Sequence, residues 1–152
     1  MSGTGPAIRP ARPDDIEALL AIEMAAFTTD RIERRAFRHA MRSPTMICLV
    51  AARAGEVLGY GIIERRRNST AARLTSIAVA PHGTGHGLGK GLLAALERDA
   101  LAAGAQRMRL EVRADNDVAR KLYETARYRV VETLDEYYED GSAALRYEKA
   151  LS

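Results

Sequence analysis

The spacing of apolar positions changes period several times along the chain, and each change predicts an element. The stretch IRPARPDD gives a short strand and then a helix start, with Asp14 or Asp15 placed to cap the helical IEALLAIEMAAF. In DRIERRAFRHAMR, Ile32, Ala36, Phe37, Ala40 and Met41 share one helical face. Arg31, Arg34, Arg35, Arg38 and Arg42 share another, and Pro44 lies just beyond the helix end. MICLVAAR and VLGYGIIERRR read as two strands of a hairpin around AGE, and RLTSIAVA as a third strand. Leu88, Leu92, Leu96 and Ala100 then form a helical stripe that Gly104 is placed to end.

Strict alternation follows in RMRLEVR: Met108, Leu110 and Val112 point one way, Arg107, Arg109, Glu111 and Arg113 the other. NDVARKLYETA is a short helix with Asn116 near its cap, and YRVVETL and AALRYEKAL are closing strands around the turn EYYEDGS. The predicted order is β-α-α-β-β-β-α-β-α-β-β, an α+β fold with a mixed sheet. Repeats, low-complexity tracts and an interdomain linker are absent, so one domain is expected over residues 1–152, its first six or so flexible.

Composition adds limits. With 47% hydrophobic residues the chain can build an ordinary core, and a net charge of +3 suits an anionic ligand without requiring nucleic acid. Cys48 is alone, inside an apolar run, which leaves no disulfide framework or cysteine metal site and reads as a small buried hydrophobe. His39, His82 and His86 lack metal-ligand spacing, so no metal is expected. No stretch reaches the ~20 apolar residues of a membrane helix, and the start lacks a signal-peptide core. A cytoplasmic protein is expected, as a monomer or homodimer, with no membrane partner.

The densest local feature is APHGTGHGLGKGLL, where glycine takes every second place from Gly83 to Gly91. A strand enters this run and a leucine-striped helix leaves it, so it is not a linker. The dinucleotide fingerprint fails, because the final glycine's place holds Lys90, Leu92 or Ala94. The P-loop fails as well: Gly91 follows Gly89-Lys90 where Ser or Thr belongs, and Thr84 replaces its first glycine. What remains is a helix N-terminus whose bare N–H groups and dipole suit an anion, with Lys90 nearby, or else a structural turn.

Ser76-Ile77-Ala78-Val79-Ala80-Pro81 followed by Thr84-Gly85-His86-Gly87-Leu88-Gly89 resembles motif A of the GNAT acetyltransferase superfamily, Q/R-x-x-G-x-G/A. LEVRADNDVARKLYETARY resembles its next block, in which an Asn opens a helix bearing L-Y-E. Element order fits from about Ile8 to Leu151. Thr84 stands in place of the usual Gln or Arg, and Arg127 in place of the usual glycine before Tyr128. The resemblance implies a GNAT fold and acetyl-CoA as co-substrate. It places the pyrophosphate on Thr84, Gly85, His86, Gly87, Leu88, Gly89 and Lys90, the pantetheine arm along Ile77, Ala78 and Val79, and Asn116 against the arm. A strand-like arm can pair with an open strand edge.

On pattern alone, Glu111 fits a cross-strand ion pair and Tyr123 a core tyrosine. The spacing LEVRADN to KLYE resembles the RimI-like ribosomal-protein-alanine acetyltransferases. That likeness implies Glu111 as general base, directly or through water, and Tyr123 as general acid toward the thiolate. It also implies that Tyr137 and Tyr138 cover the acceptor. A protein α-amine, with a pKa near ~8, needs a weaker base than a lysine near ~10.4, which fits an N-terminal amine acceptor. A small-molecule amine is the alternative acceptor. A non-catalytic acyl-CoA- or nucleic-acid-binding module is the alternative class; the arginine stripe and Arg65-Arg66-Arg67 support it, and the lack of interleaved aromatics speaks against it.

Overall fold

The computed structural model describes residues 6–27, 31–66 and 68–152; the expected flexible start and Arg67 fall wholly or partly outside them. The elements run β1 (Ala7–Pro10), α1 (Ile16–Ala26), α2 (Arg34–Arg42), β2 (Met46–Arg53), β3 (Glu56–Arg65), β4 (Ala71–Val79), α3 (Leu88–Ala102), β5 (Arg107–Arg113), α4 (Asp117–Thr125), β6 (Arg129–Leu134) and β7 (Ala144–Ala150). This is the predicted order. The strands form one seven-stranded mixed sheet, β1-β2-β3-β4-β5-β7-β6. Every pairing is antiparallel except β4 with β5.

Period-2 alternation sends the sheet's side chains into two cores. On one face, Leu49, Ala51, Leu58, Ile63, Leu74 and Met108 pack with the α3 stripe and with Tyr123 of α4. On the other, Cys48, Val50, Tyr60, Ile62 and Ala78 pack with Leu19, Ile22, Phe37 and Ala40 of α1 and α2. β4 keeps both faces supplied by a bulge. Ser76 pairs with Ile62 and Leu74 with Ile63, which leaves Thr75 as the extra residue. The parity therefore shifts: Ala72 and Leu74 before the bulge and Ile77 and Val79 after it all face α3. Helix α3 lies so close to β3 that a Cβ on Gly61 would stand 2.6 Å from Leu96 Cδ1.

Three local expectations differ in detail. Asp15 occupies the N-cap place of α1 without making a cap bond. Its carboxylate instead accepts the Arg12 N–H at 2.7 Å and the Arg9 guanidinium at 2.8 and 3.0 Å. Those bonds, Arg9 first, hold it below the usual carboxylate range. α2 begins only at Arg34, so Arg31 and Ile32 belong to the link before it, and Ala36 is exposed. Arg34 of the arginine stripe is paired with Glu17 of α1. Arg127, where the resemblance has glycine, takes φ 75° and ends α4, with the Tyr128 N–H donating to Tyr123 O at 2.9 Å.

Candidate active site

The parallel pairing of β4 and β5 lasts for only three residue pairs, Ala71 with Arg107 to Arg73 with Arg109. Beyond Arg73 the strands diverge. β4 continues to Val79 against β3 alone, and β5 continues to Arg113 against β7 alone. The inner edge of Ile77–Val79 is thus unpaired main chain beside a cleft of about 810 Å³. Among the residues expected at the site, Glu111, Tyr123, Tyr137, Tyr138 and Asn116 line it. So do Ile77, Ala78, Val79, Thr84, Gly85, Gly87, Leu88, Gly89 and Lys90. His86 is exposed and does not.

One end of the cleft is the start of α3. Gly87 is its N-cap in the left-handed region, and no side chain caps the helix, so the first-turn N–H groups face outward. A Cβ on Gly85 or Gly87 would meet nothing within 4 Å. The bare turn, the helix dipole and exposed Lys90 suit a diphosphate. α4 provides the contrast: Asn116 Oδ1 accepts the Ala119 N–H at 3.1 Å and closes that helix start. Thr84 turns its hydroxyl back to Pro81 O at 3.0 Å.

Tyr123 enters from the α3 face. It is 6% exposed, edge-on to Tyr128 and tilted against Tyr147. Burial, with a smaller contribution from Tyr138, pushes its phenol further above the usual tyrosine value, so it stays protonated. Its hydroxyl has no hydrogen-bond partner among the described residues.

Glu111 enters from the opposite face. Its Oε1 accepts from Arg73 Nε at 2.9 Å and its Oε2 from Arg146 Nε at 3.0 Å. With its side chain only 6% exposed, it is a carboxylate held from two sides. Arg73 also donates to Tyr137 Oη at 3.3 Å. Tyr137 and Tyr138 meet edge to face, and Arg113 lies over the Tyr138 ring at 4.4 Å while pairing with Asp140. The closing turn is therefore tied to β4 and β5 through side chains.

Sequence reasoning missed Arg73 and Arg146, the partners of Glu111, and a buried acid on the same wall, Glu23. One signal was available. Glu23 falls four residues after Leu19 on the apolar face of α1, where an acid is out of place. No group of His, Cys, Asp and Glu able to hold a metal occurs among the described residues.

Residues 15–127 match the acetyltransferase (GNAT) family, and the chain belongs to it. The uncapped α3 start and the open β4 edge fit acetyl-CoA, the co-substrate of this class. The chain is thus an acetyl-CoA-dependent N-acetyltransferase. A Bacillus subtilis protein bearing the name of a ribosomal protein bS18-alanine N-acetyltransferase is 30% identical over 79% of this chain and 78% of its own. The crystal structure of Ard1 from Thermoplasma volcanium superposes with TM-score 0.88 at 25% identity, covering 97% of this chain and 99% of that one. The ribosomal-protein-S18-alanine N-acetyltransferase of Escherichia coli gives 0.85 at 25% identity, over 97% and 94%.

Proposed function

We propose that the preferred acceptor is the N-terminal amine of a protein or peptide, and that transfer takes place where β4 and β5 part. The observation that carries this reading is the asymmetry of the cleft. Bare backbone and a protonated phenol lie on one wall; acids, arginines and the Tyr137-Tyr138 turn lie on the other. The ribosomal-protein-alanine names of the relatives support the same acceptor class. A chain end can enter this cleft, whose lining includes Ala26, Phe27, Ile32, Tyr137 and Tyr138.

Acetyl-CoA supplies an acetyl thioester. The N–H groups of residues 87–90 would hold its phosphates, the edge of Ile77–Val79 its amide-bearing arm, and Asn116 would flank the arm. Tyr123 keeps its proton at neutral pH and is the group suited to protonate the leaving thiolate. Glu111 meets the acceptor side with a carboxyl group that Arg73 and Arg146 hold in place, positioned to accept a hydrogen bond from the amine. The domain is read as single and cytoplasmic.

A thiol-release assay tests the acceptor. Peptides with a free α-amine should be acetylated at least tenfold faster than the same peptides blocked at the N-terminus but carrying lysine, and faster than polyamines or amino sugars. Equal rates for blocked and free peptides would reject the N-terminal reading.

A further inference from the structure

Behind Ser76 lies a chain of polar side chains that the site as described does not use. Tyr60 Oη donates to Glu23 Oε1 and stands 2.7 Å from Ser76 Oγ. A phenol has one proton, so with Glu23 ionised the Ser76 hydroxyl must be the donor to Tyr60. The chain therefore has a direction, Ser76 to Tyr60 to carboxylate. Its outer member lines the cleft on β4, next to the open edge at Ile77. Tyr60 is 0% and Glu23 2% exposed.

The surroundings of Glu23 differ from those of Glu111. Its second oxygen accepts the Ile32 N–H at 2.8 Å, so both partners are neutral donors. Among the described residues no cation lies within ion-pair distance of it. The groups acting on it are Tyr60 from β3 and Ile32 and Arg31 from the α1–α2 link, with Ser76 of β4 and Cys48 of β2 beside Tyr60. Cys48 stays neutral, its thiol pushed up to about 12 by burial. Arg31 spends its guanidinium on Phe27 O at 2.6 Å and Met24 O at 3.2 Å. Burial accordingly raises the proton affinity of Glu23, against smaller opposing effects of the Tyr60 and Ile32 bonds and Arg31.

We propose that Glu23 is the carboxylate that receives the proton of the acceptor ammonium, through Ser76 and Tyr60. The ammonium gives one proton to Ser76 Oγ as Ser76 passes its own to Tyr60 Oη and Tyr60 passes its own to Glu23 Oε1. The products are a neutral amine with a free lone pair, two restored hydroxyls and a protonated Glu23. Running the chain in reverse returns the proton to the cleft after product leaves. Glu111 then orients the amine without taking its proton, because guanidiniums already hold both of its oxygens. This inference rests on the acetyl-transfer reading above.

The test is kcat/KM for a peptide α-amine from pH 6 to pH 9.5, with acetyl-CoA affinity measured alongside. Ser76→Ala, Tyr60→Phe and Glu23→Gln should each lose about 10²-fold at pH 7. The loss should shrink toward nothing as pH passes the amine pKa of ~8, while acetyl-CoA affinity holds. Ser76→Ala leaves the Glu23–Ile32 bond in place, so it separates proton transfer from scaffolding even if Glu23→Gln misfolds. A loss independent of pH would reduce the chain to a structural role and overturn the proposal. PH rescue of Glu111→Gln alone would overturn it in favour of Glu111. A wild type that binds acetyl-CoA and releases no thiol with any amine would overturn the transfer reading, and the relay with it.

Discussion

The two walls of the cleft are built by different means. The wall toward α3 and α4 is mostly main chain: an uncapped helix start, bare glycines and a strand edge, with polar side chains at Tyr123, Lys90 and Asn116. The wall toward α1, α2 and the closing turn is mostly side chain: Glu23 bonds to Tyr60, and Arg73, Glu111, Arg146 and Tyr137 bond to one another, drawing on β3, β4, β5, β7, α1 and the closing turn. Backbone recognition demands particular conformations, which only certain residues in a row can adopt. Side-chain recognition demands only that groups meet in space. The first wall can thus serve any acceptor, while the second is free to change with it.

If this division holds, substitutions on the two walls should separate in kinetics. The largest effect is expected for Tyr123→Phe, which keeps the ring packed against Tyr128 and Tyr147 and removes only the hydroxyl. It should lower kcat by about 10²–10⁴-fold with little change in acetyl-CoA affinity, and raising the pH should not rescue it. Near-normal turnover in a folded variant would remove the chemistry from this wall.

Gly89→Asp comes next. A Cβ there meets only Leu122 and Val79, at 3.7 and 3.8 Å, and an acid in a first helical turn favours the helix. The fold should survive while phosphate binding fails. At a hundredfold excess over Kd, acetyl-CoA should stabilise the wild type by about 2.7 kcal/mol, a melting shift of roughly 5–10 °C. The variant should show none, by differential scanning fluorimetry.

Arg73→Ala probes the other wall, since it frees Glu111 Oε1 and the Tyr137 hydroxyl together. A rise of about tenfold in peptide KM is expected, with acetyl-CoA affinity unchanged, in steady-state kinetics. A fall in acetyl-CoA affinity instead would erase the distinction between the walls.

The smallest effect concerns stability against pH. The folded protein holds the Glu23 proton more tightly than the unfolded chain does, because burial raises its affinity. The contribution of Glu23 is therefore full below the unfolded carboxylate value and is lost as pH rises through the folded one. Asp15 has the opposite sign: its stabilisation is present at neutral pH and lost in acid. Urea titrations of Glu23→Gln and Asp15→Asn across pH 3 to 8 should flatten the high and low limbs respectively.

The same division explains what could be read before the structure. The α3 stripe, the alternation in β5 and the glycine turn are local patterns, so the element order followed from them, whereas a ligand for the glycine turn was implied only by the family resemblance. Asn116 was visible as a cap from local pattern too. Glu23, Tyr60 and Ser76 lie 37 and 16 residues apart and no local pattern joins them. Arg73 and Arg146 reach Glu111 over separations of 38 and 35. The strand divergence was hidden too, because RLTSIAVA reads as an ordinary strand and nothing in it shows that its neighbour leaves after Arg73.

That divergence bears on how the molecule holds together. In the main-chain ladder of the described residues, three residue pairs join the four strands from β1 to β4 to the three from β5 to β7; the rest of the join is the α3 connection, the core beneath it and side-chain links such as Arg73 to Glu111. The sheet thus has a seam, and the halves on either side can breathe about it with little loss of pairing. A strand-like arm lying along Ile77–Val79, as proposed above, would fill the gap at its open end, and acetyl-CoA would then act as a missing splint. Amide exchange near the seam should slow on binding while the outer strands stay unchanged, and release of CoA should restore a looser sheet each cycle.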